Sequence, residues 1–134
     1  MKSLTIKTSI ILKASSSDIF DALTNSKQML EWSGQKGVVQ LTIGGKFEMF
    51  DGWVKGTVLG FERGKLLVVT WKPKEWSKDD SPSIVTYRFD ELKNGTRVSV
   101  THTGFPNPKE AQSHRKGWPQ FVFEPLNTYL LRQK

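Results

Sequence analysis

Cysteine is absent from the 134 residues. No disulfide framework, thiolate metal site or thiol nucleophile can therefore be built from this chain. Histidine is nearly absent too, with only two copies, His102 and His114. They fall on different expected elements, too far apart for a zinc site, and His114 falls on an expected helix surface where it would only be solvated. No stretch approaches the roughly 20 apolar residues that a membrane span requires. The first twelve residues mix Lys2 and Lys7 with alternating apolar positions. That is not the continuous apolar run of a secretory signal, so the expected location is cytoplasmic. Low-complexity blocks, charge runs and internal repeats are missing, which excludes a disordered chain or a solenoid.

Acidic side chains are the scarcer sign, 13 against 20 Lys and Arg, for a formal net charge of +7. An excess of that size admits an acidic partner or nucleic acid. The basic residues are dispersed, however, over Lys2, Lys7, Lys13, Lys27, Lys36, Lys46, Lys55 and Lys65, with a looser group at Lys72, Lys74 and Lys78. Such a spread serves solubility, and nucleic acid is not the expected partner. What is present is ordinary globular material, 37% hydrophobic and 25% charged. The length suits one domain over residues 1–134, with no room for a second.

Residues 4–13 place Ile6, Thr8, Ile10 and Leu12 on one face of a strand. Ser15 and Asp18 have capping-box spacing ahead of Ile19, Phe20 and Leu23, which predicts a short helix over residues 16–24. Asn25 and Gln28 repeat the spacing before Met29, Leu30 and Trp32, so a second short helix follows. From Gly37 the period changes to alternating runs at 38–43, 46–50, 53–61, 66–71, 83–89 and 96–103. Gly44-Gly45, Asp51-Gly52, Arg63-Gly64 and Asn94-Gly95 separate most of them and accept the positive φ angles of tight hairpins. The longer connection 72–82 is the one expected to be mobile. Its Trp76 either packs on the sheet rim or serves as a lid or partner anchor. Asn107-Pro108-Lys109-Glu110 then reads as a helix start. Trp118, Phe121, Val122, Leu126, Tyr129 and Leu130 form an apolar stripe that the sheet must cover, while Pro119 and Pro125 should bend or divide the helix. The expected class is α+β, an antiparallel sheet of about six to seven strands with two short helices and a long C-terminal helix.

Several motifs in this order resemble a known family. They are Ala14-Ser15-Ser16-Ser17-Asp18-Ile19-Phe20-Asp21-Ala22-Leu23-Thr24, Glu31-Trp32, Gly56-Thr57-Val58, residues 67–71, Gly95-Thr96-Arg97-Val98, Thr101-His102-Thr103-Gly104-Phe105 and Gly117-Trp118. Together the chain is similar to the homologues of the activator of heat-shock protein 90 ATPase, within the START-related (SRPBCC) helix-grip superfamily. The sequence departs from the pattern at Ser33-Gly34, where a glycine and an aromatic residue often follow the second-helix tryptophan, and at the two helix prolines. The resemblance implies a helix-grip (START/Bet v 1-like) fold, in which a curved sheet wraps the terminal helix and leaves an apolar cavity.

Strand parity points Phe47, Met49, Trp71, Tyr87, Phe89 and His102 toward that cavity, and Trp32, Phe105, Trp118, Phe121 and Val122 would close its mouth or roof. Each of these side chains, taken singly, is at least as well explained by core filling. Taken together they imply room of about 300 Å³ or more for a small hydrophobic ligand, a lipid, aromatic or polyketide-like molecule. Tyr87 and His102 are the polar groups inside, as satisfied core residues or as hydrogen-bond partners of a ligand. No inward Asp or Glu accompanies them, so a catalytic pair is not assembled and no cofactor is implied. The resemblance adds two further readings: a chaperone or other protein partner for a co-chaperone-like module in stress response, and cyclase-like chemistry at Tyr87 and His102.

Overall fold

The computed structural model describes residues 4–133, so Lys2 lies outside the described residues. Strand β1 (Thr5–Leu12) precedes helices α1 (Ser16–Thr24) and α2 (Ser26–Ser33). Strands β2 (Val38–Val39), β3 (Lys46–Met49), β4 (Val54–Glu62), β5 (Leu66–Pro73), β6 (Ser83–Leu92) and β7 (Gly95–Thr103) follow. Helix α3 (Pro108–Gly117), a π-helical segment (Trp118–Phe123) and α4 (Glu124–Arg132) complete the described order. The strands make one antiparallel sheet, ordered β1-β7-β6-β5-β4-β3-β2.

The helices start where side chains satisfy free backbone donors. Ser15 Oγ accepts the Asp18 N–H at 3.1 Å, Asn25 Oδ1 the Gln28 N–H at 3.0 Å, and Asn107 Oδ1 the Glu110 N–H at 2.9 Å. Alternation along the strands puts the expected residues on one face. Leu67, Tyr87 and Val100 stand side by side across β5, β6 and β7, as do Val69, Val85 and His102, and all six are buried.

Three segments differ from the sequence reading. Of the run 38–43 only Val38 and Val39 form a strand, with one further backbone bond from the Gln40 N–H to the Lys46 carbonyl at 2.8 Å. Beyond it the Thr42 N–H turns back to the Gln40 carbonyl, and Gly44 and Gly45 bond to the Val58 backbone, leaving Ile43 73% exposed. In the connection 72–82, Trp76 is 8% exposed and donates to Glu110 Oε1 at 2.6 Å, so it packs against α3 instead of standing out as an anchor. The third difference lies in the terminal helix, divided at the prolines as expected, but through a π turn. Pro119 has no N–H to give, and the ladder slips to the spacing seen where the Glu124 N–H reaches the Pro119 carbonyl. The wider turn rotates the stripe. Trp118, Val122, Leu126 and Leu130 stay buried, Phe123 joins them, and Phe121 swings out to 56% exposure.

Candidate functional site

The centre of the molecule is an interlocked pair of histidines and tryptophans. An indole N–H can only donate, so the Trp118 Nε1–H at 3.1 Å fixes His102 Nδ1 as an acceptor. His102 then carries its proton on Nε2 and donates to Ser83 Oγ at 2.7 Å, and Ser83 in turn donates to the Trp71 carbonyl at 2.8 Å. His114 follows the same logic. Its Nε2 accepts the Trp71 Nε1–H at 3.1 Å, and its Nδ1–H donates to the Glu110 carbonyl at 2.9 Å. The two imidazoles lie edge to face, centroids 5.1 Å apart. Both expectations for His114 are thus corrected: it is 7% exposed, and it is a neighbour of His102. Ser113 and Lys116 share α3 with it, but its own spacing of four from Trp118 continues the buried stripe one turn upstream.

A second proton on either ring would aim a donor at an indole donor, inside a cage of rings. His102 is accordingly pushed down to about 2 by burial and by the neighbouring His114. Burial lowers His114 as well, opposed by its bond to the Glu110 carbonyl. Burial raises Tyr87. The Ser83 and His102 contact resembles a nucleophile and base, yet the tautomer is the wrong one, because Nε2 holds the proton it would have to take. With both nitrogens of His102 engaged, neither is free for Tyr87. Among the described residues no cluster of three or more His, Asp or Glu side chains could hold a metal ion.

Most of the interior between sheet and helix is filled by these rings. Beside the π turn an apolar cleft of about 160 Å³ stays open, lined by Trp71, His114, Gly117, Trp118, Val122 and, at the rim, Phe50, Trp53, Ser113 and Phe121. An outer groove of about 400 Å³, lined by Gln35, Phe50, Trp53 and Phe121, continues from the same rim. Two backbone irregularities converge there. Phe50 (φ 55°) and Asp51 (φ 58°) both lie in the left-handed region. That turn is held by the Asp51 N–H to the Lys36 carbonyl at 3.0 Å and the Lys36 N–H to Asp51 Oδ1 at 2.7 Å. Left-handed geometry is rare for a ring-bearing residue and collects at functional positions, as do π turns.

Of the eleven residues expected around a cavity, Trp71, Trp118, Phe121 and Val122 line the cleft. The other seven are buried elsewhere in the core. Phe47 packs on Trp71 at 5.9 Å, Phe89 on Phe20 at 5.9 Å, Tyr87 on Trp118 at 5.7 Å and Phe105 on His102 at 4.2 Å. Trp32 ties the first two helices by donating to the Ala22 carbonyl at 2.7 Å. Met49 closes the inner face of β3. Sequence reasoning missed Phe50, Trp53, Gly117 and His114. The first two belong to a turn, where strand parity carries no information, although the aromatics flanking Asp51-Gly52 were the signal available.

Residues 13–130 match the model of the family described as Activator of Hsp90 ATPase homolog 1-like protein. The human Activator of 90 kDa heat shock protein ATPase homolog 1 is 27% identical over 107 residues, 80% of this chain and 31% of the relative. The Hsp90 co-chaperone AHA1 of Saccharomyces cerevisiae is 30% identical over 104 residues, 71% of this chain and 29% of the relative. The chain thus spans about a third of the length of these curated relatives. A solved HSP90 activator from Plasmodium falciparum superposes with a TM-score of 0.84 at 25% identity, covering 94% of this chain and 95% of that one. CalU16 from Micromonospora echinospora, at 20% identity and a TM-score of 0.79 over 94% of this chain and 73% of its own, shares the fold.

Proposed function

The chain belongs to the Activator of Hsp90 ATPase homolog 1-like family and has its helix-grip fold, and from that premise we propose that it is a non-enzymatic binding domain for a small hydrophobic molecule. One observation carries the reading: the 160 Å³ cleft is open, apolar and walled by fixed rings. An apolar cavity of roughly 150 Å³ stays dry and takes up benzene, so this one suits a ring-sized group. A whole lipid, sterol or polyketide exceeds it, and would have to leave most of its length in the outer groove.

The test is a titration with single-ring hydrocarbons, read by tryptophan fluorescence and by amide shifts at Gly117 and Phe121. Gly117 supplies the control. Its φ of −70° is helical, and an added Cβ would meet only the Phe121 ring edge, at 3.7 Å. Gly117→Leu should keep the fold, raise the thermal midpoint through better helix propensity, and abolish the response. Binding that survives in the folded variant, or an unresponsive wild type, would end the reading.

A second reading, a co-chaperone-like module, is supported by the names of the relatives and by the exposed Phe121. Adding the chain to a ninety-kilodalton heat-shock chaperone and measuring ATP hydrolysis tests it. An unchanged rate and no co-elution would remove it.

A further inference from the structure

The cleft's wall contains three indoles and an imidazole, and such groups normally give a binding site its polar handles. Here each is already spent. Trp71 donates to His114, Trp118 to His102, and Trp53 to Glu75 Oε1 at 2.5 Å. His114 uses both nitrogens, one toward Trp71 and one toward the Glu110 carbonyl. The remaining inner wall is Val122, Gly117 and aromatic carbon, and Ser113 stands exposed at the mouth. A ligand hydroxyl or amine that entered would lose its water and find no partner. That loss outweighs what a neutral hydrogen bond contributes when it is made.

Resting on the binding function proposed above, we infer that the cleft selects an all-hydrocarbon ring and rejects the isosteric ring carrying a hydroxyl or amino group. The site therefore fits the phenyl end of a ligand whose remaining length lies along the outer groove, where Gln35 is the one polar side chain of the lining apart from the Trp53 indole N–H, already bonded to Glu75. Phenols and anilines of the same shape are excluded by the wall's chemistry and not by its size.

Para-xylene and para-cresol have the same shape and differ by one methyl against one hydroxyl, so their affinities measured on the full chain by calorimetry or amide shifts give the test. Para-xylene is expected to bind at least tenfold more tightly. Equal or tighter binding of para-cresol would overturn the selectivity and leave the binding function standing. Binding of neither would remove both. A variant separates wall chemistry from simple hydrophobicity. Trp71→Phe leaves the His114 Nε2 lone pair without its donor, which offers the cresol hydroxyl an acceptor. With the fold verified by its amide spectrum, the preference for para-xylene should shrink by at least fivefold, and an unchanged ratio would count against the inference.

Discussion

His102 and His114 are the residues on which the interior depends most, because each must stay neutral to accept an indole proton. The folded values lie below the ordinary imidazole value of about 6.5. Above that pH neither folded nor unfolded chain is protonated there, and the histidines add no pH dependence. Below it the unfolded chain takes up protons that the folded one refuses, so stability falls with acid. For His102 the loss approaches a tenfold drop in the folding constant per pH unit, and His114 adds to it in the same direction. The urea midpoint should therefore be flat from pH 8 to 7 and fall steeply below pH 6. His102→Gln keeps an acceptor for Trp118 and a donor for Ser83 without a proton to gain, so its acid slope should be shallower by up to one such tenfold step. Equal slopes in the two proteins would refute the account. Sequence placed His102 inside correctly from strand parity. It left His114 outside because α3 is otherwise polar, and a single buried position in a charged helix has no periodic signature until the next turn is counted with it.

Among the elements, β4 and the π turn show how local backbone chemistry decides what the sheet and helix can cover. At Gly56 an added Cβ would sit 1.9 Å from the Thr70 carbonyl oxygen, a main-chain atom of β5 that cannot rotate away. The neighbouring Thr57 N–H bonds to Thr70 Oγ1 at 2.8 Å, and the register slips between Val58 and Gly60. The two strands approach closely here because a glycine permits it. Gly56→Ala should cost roughly 1–3 kcal/mol in urea denaturation, in the range of overpacked cores. A cost below about 0.5 kcal/mol would mean that β5 yields freely. Strand parity made most of this layer legible, since alternation is a property of every extended residue. The π turn was not legible in the same way. Pro119 and Pro125 announce a break, but the direction in which the stripe rotates follows from how the ladder re-forms, and that moved Phe121 from the covered stripe to the rim.

For the whole molecule, the order of elements was readable because each boundary has its own chemistry: a capping side chain, a glycine at positive φ, a proline at a first helical turn. The size of the enclosed space was not readable, since it is the small difference between ring volumes and the room the sheet leaves, and no single residue sets it. The same balance predicts how the protein responds to salt. Among the described residues the ion pairs are Lys46 with Glu48, Arg63 with Asp21 and Lys65 with Glu62, and in each the basic side chain is more than half exposed. Pairs of that kind contribute little and are screened. A net charge of +7 meanwhile repels itself in the folded state. Raising sodium chloride from 50 mM to 500 mM should therefore leave the thermal midpoint unchanged or lift it by a few degrees. A clear fall would show that the surface pairs, and not the buried rings, hold the fold together.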